Sequence, residues 1–384
     1  MQYAPFSLVA EAFVACDAGG NAYLYRMELN HSHIPALSRG AALYGAGGGG
    51  EPTIGELMAS AALSDGSHVD LVDLDELPDD AIILPMAMIG APTVAVEKLP
   101  RGDEGARLKE HTEKLLGREV AALICAELGG INGVLPVAWA AQTGLPLVDG
   151  DLIGRAFPGV QFVVPRLMGY DPSPIVQIDE RGNVATFHVI SPDWAARLTG
   201  AMMIASGAVM ALSMYPMTVK EAKAGIVRGS MSQAIHAGQL LLDGGDDPVE
   251  TLMKEVDGVS LIEGKVTDVD RRTESGFALG SAVIEGVGRH AGSALRLEFQ
   301  NENLVAFKDG VVVATTPDII TVVDLHSGWP IVTEALRYGQ RVAVVDIPCA
   351  PIWRTEVGLS VAGPAAFGYD VDYTPAEVAH DRVR

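Results

Sequence analysis

The sequence predicts an α/β N-terminal domain with a mostly parallel sheet, then two central helices, then a β-rich C-terminal domain. Three observations predict it. Apolar runs at 69–74, 81–88, 121–126 and 145–148 are separated by segments of helical period, at 107–116 and 134–143 among others, the pattern of parallel strands joined by crossover helices. Two longer helix-like segments follow, at 192–215 and 230–242. From residue 259 the pattern changes to short β-like runs, at 260–268, 277–285, 294–299, 304–307, 311–315, 319–323 and 341–345. These divide the chain into an N-terminal extension (1–26), an α/β domain (27–190), a helical segment with the β-rich domain (191–375) and a tail (376–384).

Taken in order, residues 1–26 hold apolar runs without a basic region before them, so they do not read as a signal peptide. Met27-Glu28-Leu29 leads directly into the first helix-like pattern and is a candidate for the true start. Residues 34–44 and 52–63 read as helices on either side of Gly45-Ala46-Gly47-Gly48-Gly49-Gly50. Glycine loses the most conformational freedom on folding, so such a run belongs where bare backbone must approach a ligand or another chain segment, or else is a flexible linker. Residues 198–219 carry no charge and are long enough to cross a bilayer. Gly200, Ser206, Gly207, Ser213, Pro216 and Thr218 dilute that signal, and no aromatic or basic belt flanks it, so a buried central helix is expected, started by Ser191 and Pro192. The helix at 230–242 opens on Ser230 and Ser232 and is stopped by Gly244-Gly245. Lys308-Asp309-Gly310 reads as a hairpin turn.

Composition narrows the function. Of 384 residues 48% are hydrophobic and 20% charged, which describes a globular protein with a large core. A net charge of −22 disfavours nucleic acid and anionic membranes, because phosphate binding needs clustered Lys and Arg. Cys16, Cys125 and Cys349 are far apart and odd in number, which points to a reducing cytoplasm without a disulfide framework. So apolar a chain is a candidate homo-oligomer.

Three strand ends carry the unusual chemistry: Glu127-Leu128-Gly129-Gly130-Ile131-Asn132-Gly133 after 121–126, Asp149-Gly150-Asp151 and then Arg155 after 145–148, and Ile89-Gly90-Ala91-Pro92-Thr93 with Glu97-Lys98 after 81–88. In a parallel sheet the carboxyl ends of the strands share one edge, where ligands bind, so Glu127, Asn132, Asp149, Asp151 and Arg155 are candidates for one crevice. Each has a plainer alternative. Glu127 reads equally as a helix cap, Asp149 and Asp151 as turn formers, and Arg155 as a neutralising partner. Asp149 and Asp151 are also candidate ligands for a divalent metal ion. His31-Ser32-His33, His236, His290 and His326 lack zinc-motif spacing. The glycine run has no Gly-Lys-Ser/Thr ending and no dinucleotide fingerprint, so neither ATP nor NAD is signalled. Ser230 opens a helix and is a candidate anion contact. Gln300-Asn301-Glu302-Asn303 reads as an exposed turn or as part of the site.

These segments, in this order, resemble the S-methyl-thiohydantoin desulfurase-like family, formerly catalogued as a domain of unknown function, with relatives labelled hydantoinase or oxoprolinase-like. The resemblance rests on 45–52, Gly90-Ala91-Pro92-Thr93, 127–133, 149–158, 229–232, Glu263-Gly264-Lys265-Val266, 300–304, Pro317-Asp318 and 363–369, and runs from about residue 36 to 375. Ala46 and Glu51 stand where Thr and Asp are expected, which marks them as positions for altered specificity. The resemblance implies a hydrolase of small cyclic amide-like compounds that replaces the S-methyl sulfur of an S-methyl-thiohydantoin by oxygen. On that reading Glu127 or Asp149 is the general base, Asp151 orients it or holds a metal, and Arg155 meets a substrate carboxylate. Asn132 meets a ring carbonyl, with Ser230 and Asn301 further contacts, and the N–H groups of Gly47, Gly48, Gly49 and Gly50 receive negative charge. The alternative is a non-catalytic ligand-binding or regulatory subunit of a hydantoinase-type system. An ATP-dependent ring opening is disfavoured by the missing phosphate signature.

Overall fold

The structure, a computed structural model, describes residues 27–378 except 92, 93, 95, 96, 246, 275 and 276. The 1–26 extension, Cys16 and the end of the tail lie outside the described residues.

Two sheets build the molecule. The first contains β1 (Met27–Leu29), β2 (Val69–Val72), β3 (Ile82–Gly90), β4 (Val120–Cys125), β5 (Leu147–Asp151), β6 (Ile175–Ile178), β7 (Val184–Phe187) and β8 (Val209–Ser213), in the order β1-β2-β5-β4-β3-β8-β6-β7. The short strands β9 (Met217–Thr218) and β10 (Val227–Arg228) pair with β3 and β5. Strands β2, β5, β4 and β3 form a parallel centre, as the alternation of apolar runs and helices predicts. Their residues are buried on both faces, which is why they read as continuous apolar runs instead of alternating ones. Helix Leu135–Thr143 buries Trp139 against this centre, and helices Ile34–Tyr44 and Ser230–Asp243 pack on each other so closely that a Cβ on Gly40 would lie 1.8 Å from the Ala234 carbonyl oxygen.

The expected buried helix over 192–215 is corrected. A helix spans Pro192–Ala205, capped by Ser191, whose Oγ accepts from the Trp194 N–H. It ends because Gly207 and Ala208 both take positive φ, 86° and 68°, which a right-handed helix cannot continue through. Val209-Met210-Ala211-Leu212-Ser213 then enters the sheet as β8 between β3 and β6. Nor is the helix buried: of its residues Ala195 and Thr199 are, while Ile204 and Trp194 are exposed. Gly200, one of the small residues that suggested close packing, instead lines a cavity. No helix among the described residues is long and apolar enough to cross a membrane.

The second sheet is antiparallel throughout: β11 (Val259–Glu274), β12 (Phe277–Gly286), β13 (Ala294–Gln300), β14 (Glu302–Lys308), β15 (Val311–Thr315), β16 (Ile319–Asp324), β17 (Pro330–Ile331) and β18 (Arg341–Ile347), in the order β15-β14-β13-β12-β11-β18-β16-β17. Asp309 and Gly310 both have positive φ, 51° and 83°, as a tight hairpin between β14 and β15 requires. Residues 191–255 supply β8, β9 and β10 to the first sheet and helices that cover it. After β18 the chain returns to the first domain. Trp353 is fully buried there, 5.1 Å from the Phe157 ring, and its Nε1 donates to the Ile153 carbonyl at 2.7 Å.

Candidate functional site

A cavity of about 310 Å³ opens at the carboxyl ends of β3 and β4. That is the small end of the range for small-molecule sites. The first sheet supplies Met88, Ile89, Ala126 and Glu127. The loop after β5 supplies Phe157 and Val160, and helix Pro192–Ala205 and β8 supply Met203, Val209 and Leu212. Gly49 and Gly50 close one side, and Asn301 and Glu302, from the start of β14, reach in from the second sheet.

The glycine run is a seam between the two sheets. Asn303 N–H donates to the Ala46 carbonyl at 2.7 Å and Thr333 N–H to the Gly47 carbonyl at 2.8 Å, while Ile131 N–H donates to the Gly49 carbonyl at 3.1 Å. Gly48 is required by proximity: a Cβ there would lie 2.0 Å from Glu302 Oε1. Gly130, with φ +49°, answers it from the other side, its Cβ position falling 2.0 Å from the Gly50 carbonyl oxygen. Gly49 and Gly50 line the cavity, and their N–H groups have no protein acceptor among the described residues. Gly47 and Gly48 lie behind the wall against Asn303 and Glu302. Ala46 is fully buried and Glu51 accepts from Thr53 Oγ1 at the start of the next helix, so neither side chain lines the cavity.

Glu127 is the catalytic candidate among the ionisable groups of the cavity that the sequence put forward. Its Oε1 accepts from Asn132 Nδ2 at 3.2 Å, and the nearby Phe157 N–H also favours its ionised form. Desolvation outweighs these bonds and pushes its pKa up to about 7. Asn132 lines the cavity too, but its amide is committed: Oδ1 accepts from the Met88 N–H at 2.7 Å and Nδ2 donates to the Met88 carbonyl at 3.0 Å as well as to Glu127. Asn132 therefore positions Glu127 against β3 and has no donor left for a ring carbonyl. Cys125 Sγ, buried beneath, donates to the Glu127 and Asn132 carbonyls and holds the intervening turn.

Glu302, part of the block that reads in the sequence as an exposed turn or as part of the site, is the cavity's second carboxyl. It is 2% exposed and lines the same cavity, and its Oε2 has no hydrogen-bond partner among the described residues. Burial and the neighbouring Glu127 charge push its pKa well up, against the pull of Arg155. Its signal was an acid between two asparagines immediately before an apolar strand, a place where a solvent-facing turn residue would not need to be buried. Asn301 lines the cavity with φ +57°, and its Oδ1 accepts from the Ala278 N–H at 2.7 Å.

The structure does not bring the remaining candidates into the cavity. Asp151 is fully buried and saturated. It accepts from the N–H groups of Leu128, Ile153 and Gly154 and from Ser230 Oγ at 2.7 Å, so it and Ser230 pin three loops together. Asp149 Oδ1 accepts from the Ser232 N–H at 3.0 Å and caps helix Ser230–Asp243. These commitments leave the two aspartates without a shared open face for a metal ion, and no group of three or more His, Cys, Asp or Glu converges among the described residues. Arg155 is also fully buried, outside the cavity lining. Its Nη1 donates to the Pro317 and Asp318 carbonyls and its Nε to the Ala156 carbonyl, with the guanidinium carbon 4.4 Å from the Phe157 ring centre, so it ties the two sheets together, while its Nη2 has no hydrogen-bond partner among the described residues.

Fold and site together define a two-domain α/β and antiparallel-β protein, with a cavity at the sheet edge where the domains meet and two desolvated carboxyls within it. The chain belongs to the S-Me-THD-like family: residues 32–189 match that family's N-terminal domain and residues 190–376 its C-terminal domain. It is also similar to a protein from Chromobacterium violaceum whose X-ray crystal structure is known. The two are 24% identical, with a TM-score of 0.78 over 91% of this chain and 99% of that one. This second likeness is one of fold. No curated protein matches the chain.

Proposed function

We propose that the protein is a hydrolase of small cyclic amide-like compounds, replacing the S-methyl sulfur of an S-methyl-thiohydantoin by oxygen to give a hydantoin. One observation carries the reading: Glu127 and Glu302 share a cavity in which burial has raised both pKa values, so one carboxyl can be ionised while the other keeps its proton. Family membership supports the substrate class.

On this reading Glu127 is the base and Glu302 the acid. Glu127 takes a proton from water as the water oxygen bonds to the carbon that bears sulfur. The C=N electron pair moves onto the ring nitrogen, which takes the Glu302 proton, and the unpaired N–H groups of Gly49 and Gly50 stabilise charge on the ring. The new hydroxyl then returns its proton to Glu302 as the carbonyl forms. The C–S bond breaks, and the leaving thiolate takes the proton held by Glu127. Atoms balance: water is consumed, methanethiol and a hydantoin are released, and both carboxyls end as they began.

Mass spectrometry of the purified protein incubated with S-methyl-thiohydantoin and hydantoin libraries tests the reading. Release of methanethiol with the matching hydantoin is expected. Binding without product would overturn it in favour of a regulatory subunit.

A further inference from the structure

Helix Pro192–Ala205 presents two different faces. Its inner side lines the cavity through Ala196, Thr199, Gly200 and Met203. Its outer side carries Asp193, Trp194, Arg197, Ala201, Ile204 and Ala205, which recur at helical spacing and are all exposed. Of these, Asp193 and Arg197 are charged and the rest are apolar.

More exposed apolar side chains gather at the two ends of this helix. Ile190 lies just before its cap. Arg166 pairs with Asp193 at 3.1 Å, which sets Met168 near the first turn. Lys98 Nζ donates to the Ser206, Gly207 and Val209 carbonyls, which sets Leu99 near the last turn. Met168, Ile190, Trp194, Ile204 and Leu99 are exposed by 37% to 89%. At ~200 Å² for a large side chain, they leave roughly 600 Å² of apolar surface in water. That is the upper end of what a monomer shows, and most of the ~800 Å² per partner that a stable interface buries. The first sheet also ends beside this helix. Strand β7 has no strand on its outer side among the described residues, and neither proline nor charge in Val184–Phe187 guards that edge.

The charges select the occupant. With a net charge of −22, most of the surface repels a second copy of the chain. This face is the exception, because its two charges are opposite in sign and stand one helical turn apart. Asp193 uses Oδ1 for Arg166. Arg197 lies over the Trp194 ring, 5.4 Å from its centre, and has no carboxylate partner among the described residues. Two such helices laid antiparallel about a two-fold axis bring Asp193 of each copy to Arg197 of the other, with both Trp194 rings between them. Trp and Arg at the centre of a patch are the residues on which interfaces most often depend.

We propose that the protein is a two-fold homodimer whose copies meet along the outer face of helix Pro192–Ala205, with Asp193 of each copy paired to Arg197 of the other. The same helix is a cavity wall, so each copy backs the site of the other. The proposal stands independently of the reaction assigned to that site.

Sedimentation analysis of the full chain at micromolar concentration tests it, with circular dichroism as the check on folding. A dimer is expected. Ile190→Asp changes an exposed side chain outside the core and buries an unpaired charge in the interface, so association should weaken at least ~10-fold. Arg197→Asp sets acids opposite each other and Asp193→Lys sets bases opposite each other, so each variant alone should be monomeric. Mixed in equal amounts they should restore the dimer, because every facing pair is then an acid with a base. A monomeric parent protein overturns the proposal and leaves residues 1–26 or a different protein to cover the face. A dimer indifferent to Ile190→Asp and Arg197→Asp overturns the choice of face, and a mixture that stays monomeric overturns the two-fold pairing.

Discussion

Replacing Glu127 by Gln should do two opposite things at once. Burial raises the Glu127 pKa from 4.5 to about 7. A carboxyl whose folded pKa lies above its unfolded value destabilises the fold once it ionises. Below pH 4.5 there is no penalty; between pH 4.5 and 7 the penalty grows; above pH 7 it is complete. A shift of this size corresponds to ~3 kcal/mol at 1.36 kcal/mol per unit, and water in the cavity screens part of it, so ~2 kcal/mol is the working figure. Gln cannot ionise but is able to keep the hydrogen bond from Asn132. Glu127→Gln should therefore be the more stable protein at pH 8 and nearly equal to the parent at pH 4.5, read from urea midpoints at the two pH values. Its turnover of an S-methyl-thiohydantoin should fall ~100- to 10,000-fold, the usual worth of a general base. Turnover close to that of the parent, or a midpoint at pH 8 no higher than the parent's, would refute the assignment of Glu127 as a desolvated base.

Other tests follow from the same geometry. With Glu127 acting as base, kcat/KM should rise with pH through about 7 and lose that limb in Glu127→Gln, as a pH–rate profile would show. Gly48→Ala puts a Cβ 2.0 Å from Glu302 Oε1, so a loss of ~1–3 kcal/mol from overpacking is expected together with lower turnover; an unchanged urea midpoint would contradict the close seam. Asp151→Ala strands the N–H groups of Leu128, Ile153 and Gly154 and the Ser230 hydroxyl, at ~1–3 kcal/mol each. That loss should abolish soluble expression, and a folded Asp151→Ala lacking only activity would point to a chemical role instead.

The parallel centre of the first sheet was legible because each buried strand leaves an uninterrupted apolar run, as at 82–90 and 120–125. The hairpin at Asp309-Gly310 was legible because only certain residues tolerate positive φ. Strand β8 was not, since Val209–Ser213 continues the apolar character of the preceding helix and nothing local distinguishes a buried strand from a buried helix. Glu127 and Asn132 were found through their position after a strand. The same rule misplaced Asp149, Asp151 and Arg155, because it places residues at an edge without saying which way each side chain turns. Glu302 lay beyond that rule altogether. Its place in the cavity depends on the second sheet docking against the first, a relation that no local pattern encodes.

The seam also bears on how the molecule comes into being. Thr321 Oγ1 donates to the Leu43 carbonyl across 278 residues of sequence, and Arg155 reaches the Asp318 carbonyl across 163. Contacts so distant along the chain close long loops, which costs entropy that the contacts themselves must offset. The glycine run is made early by the ribosome and then waits for the start of β14. Until that strand is in place, the first domain holds Glu127 without Glu302, and the cavity lacks a wall. The pocket is thus a product of assembly: the first sheet alone supplies Glu127, and only the docked second sheet adds Glu302 and Asn301.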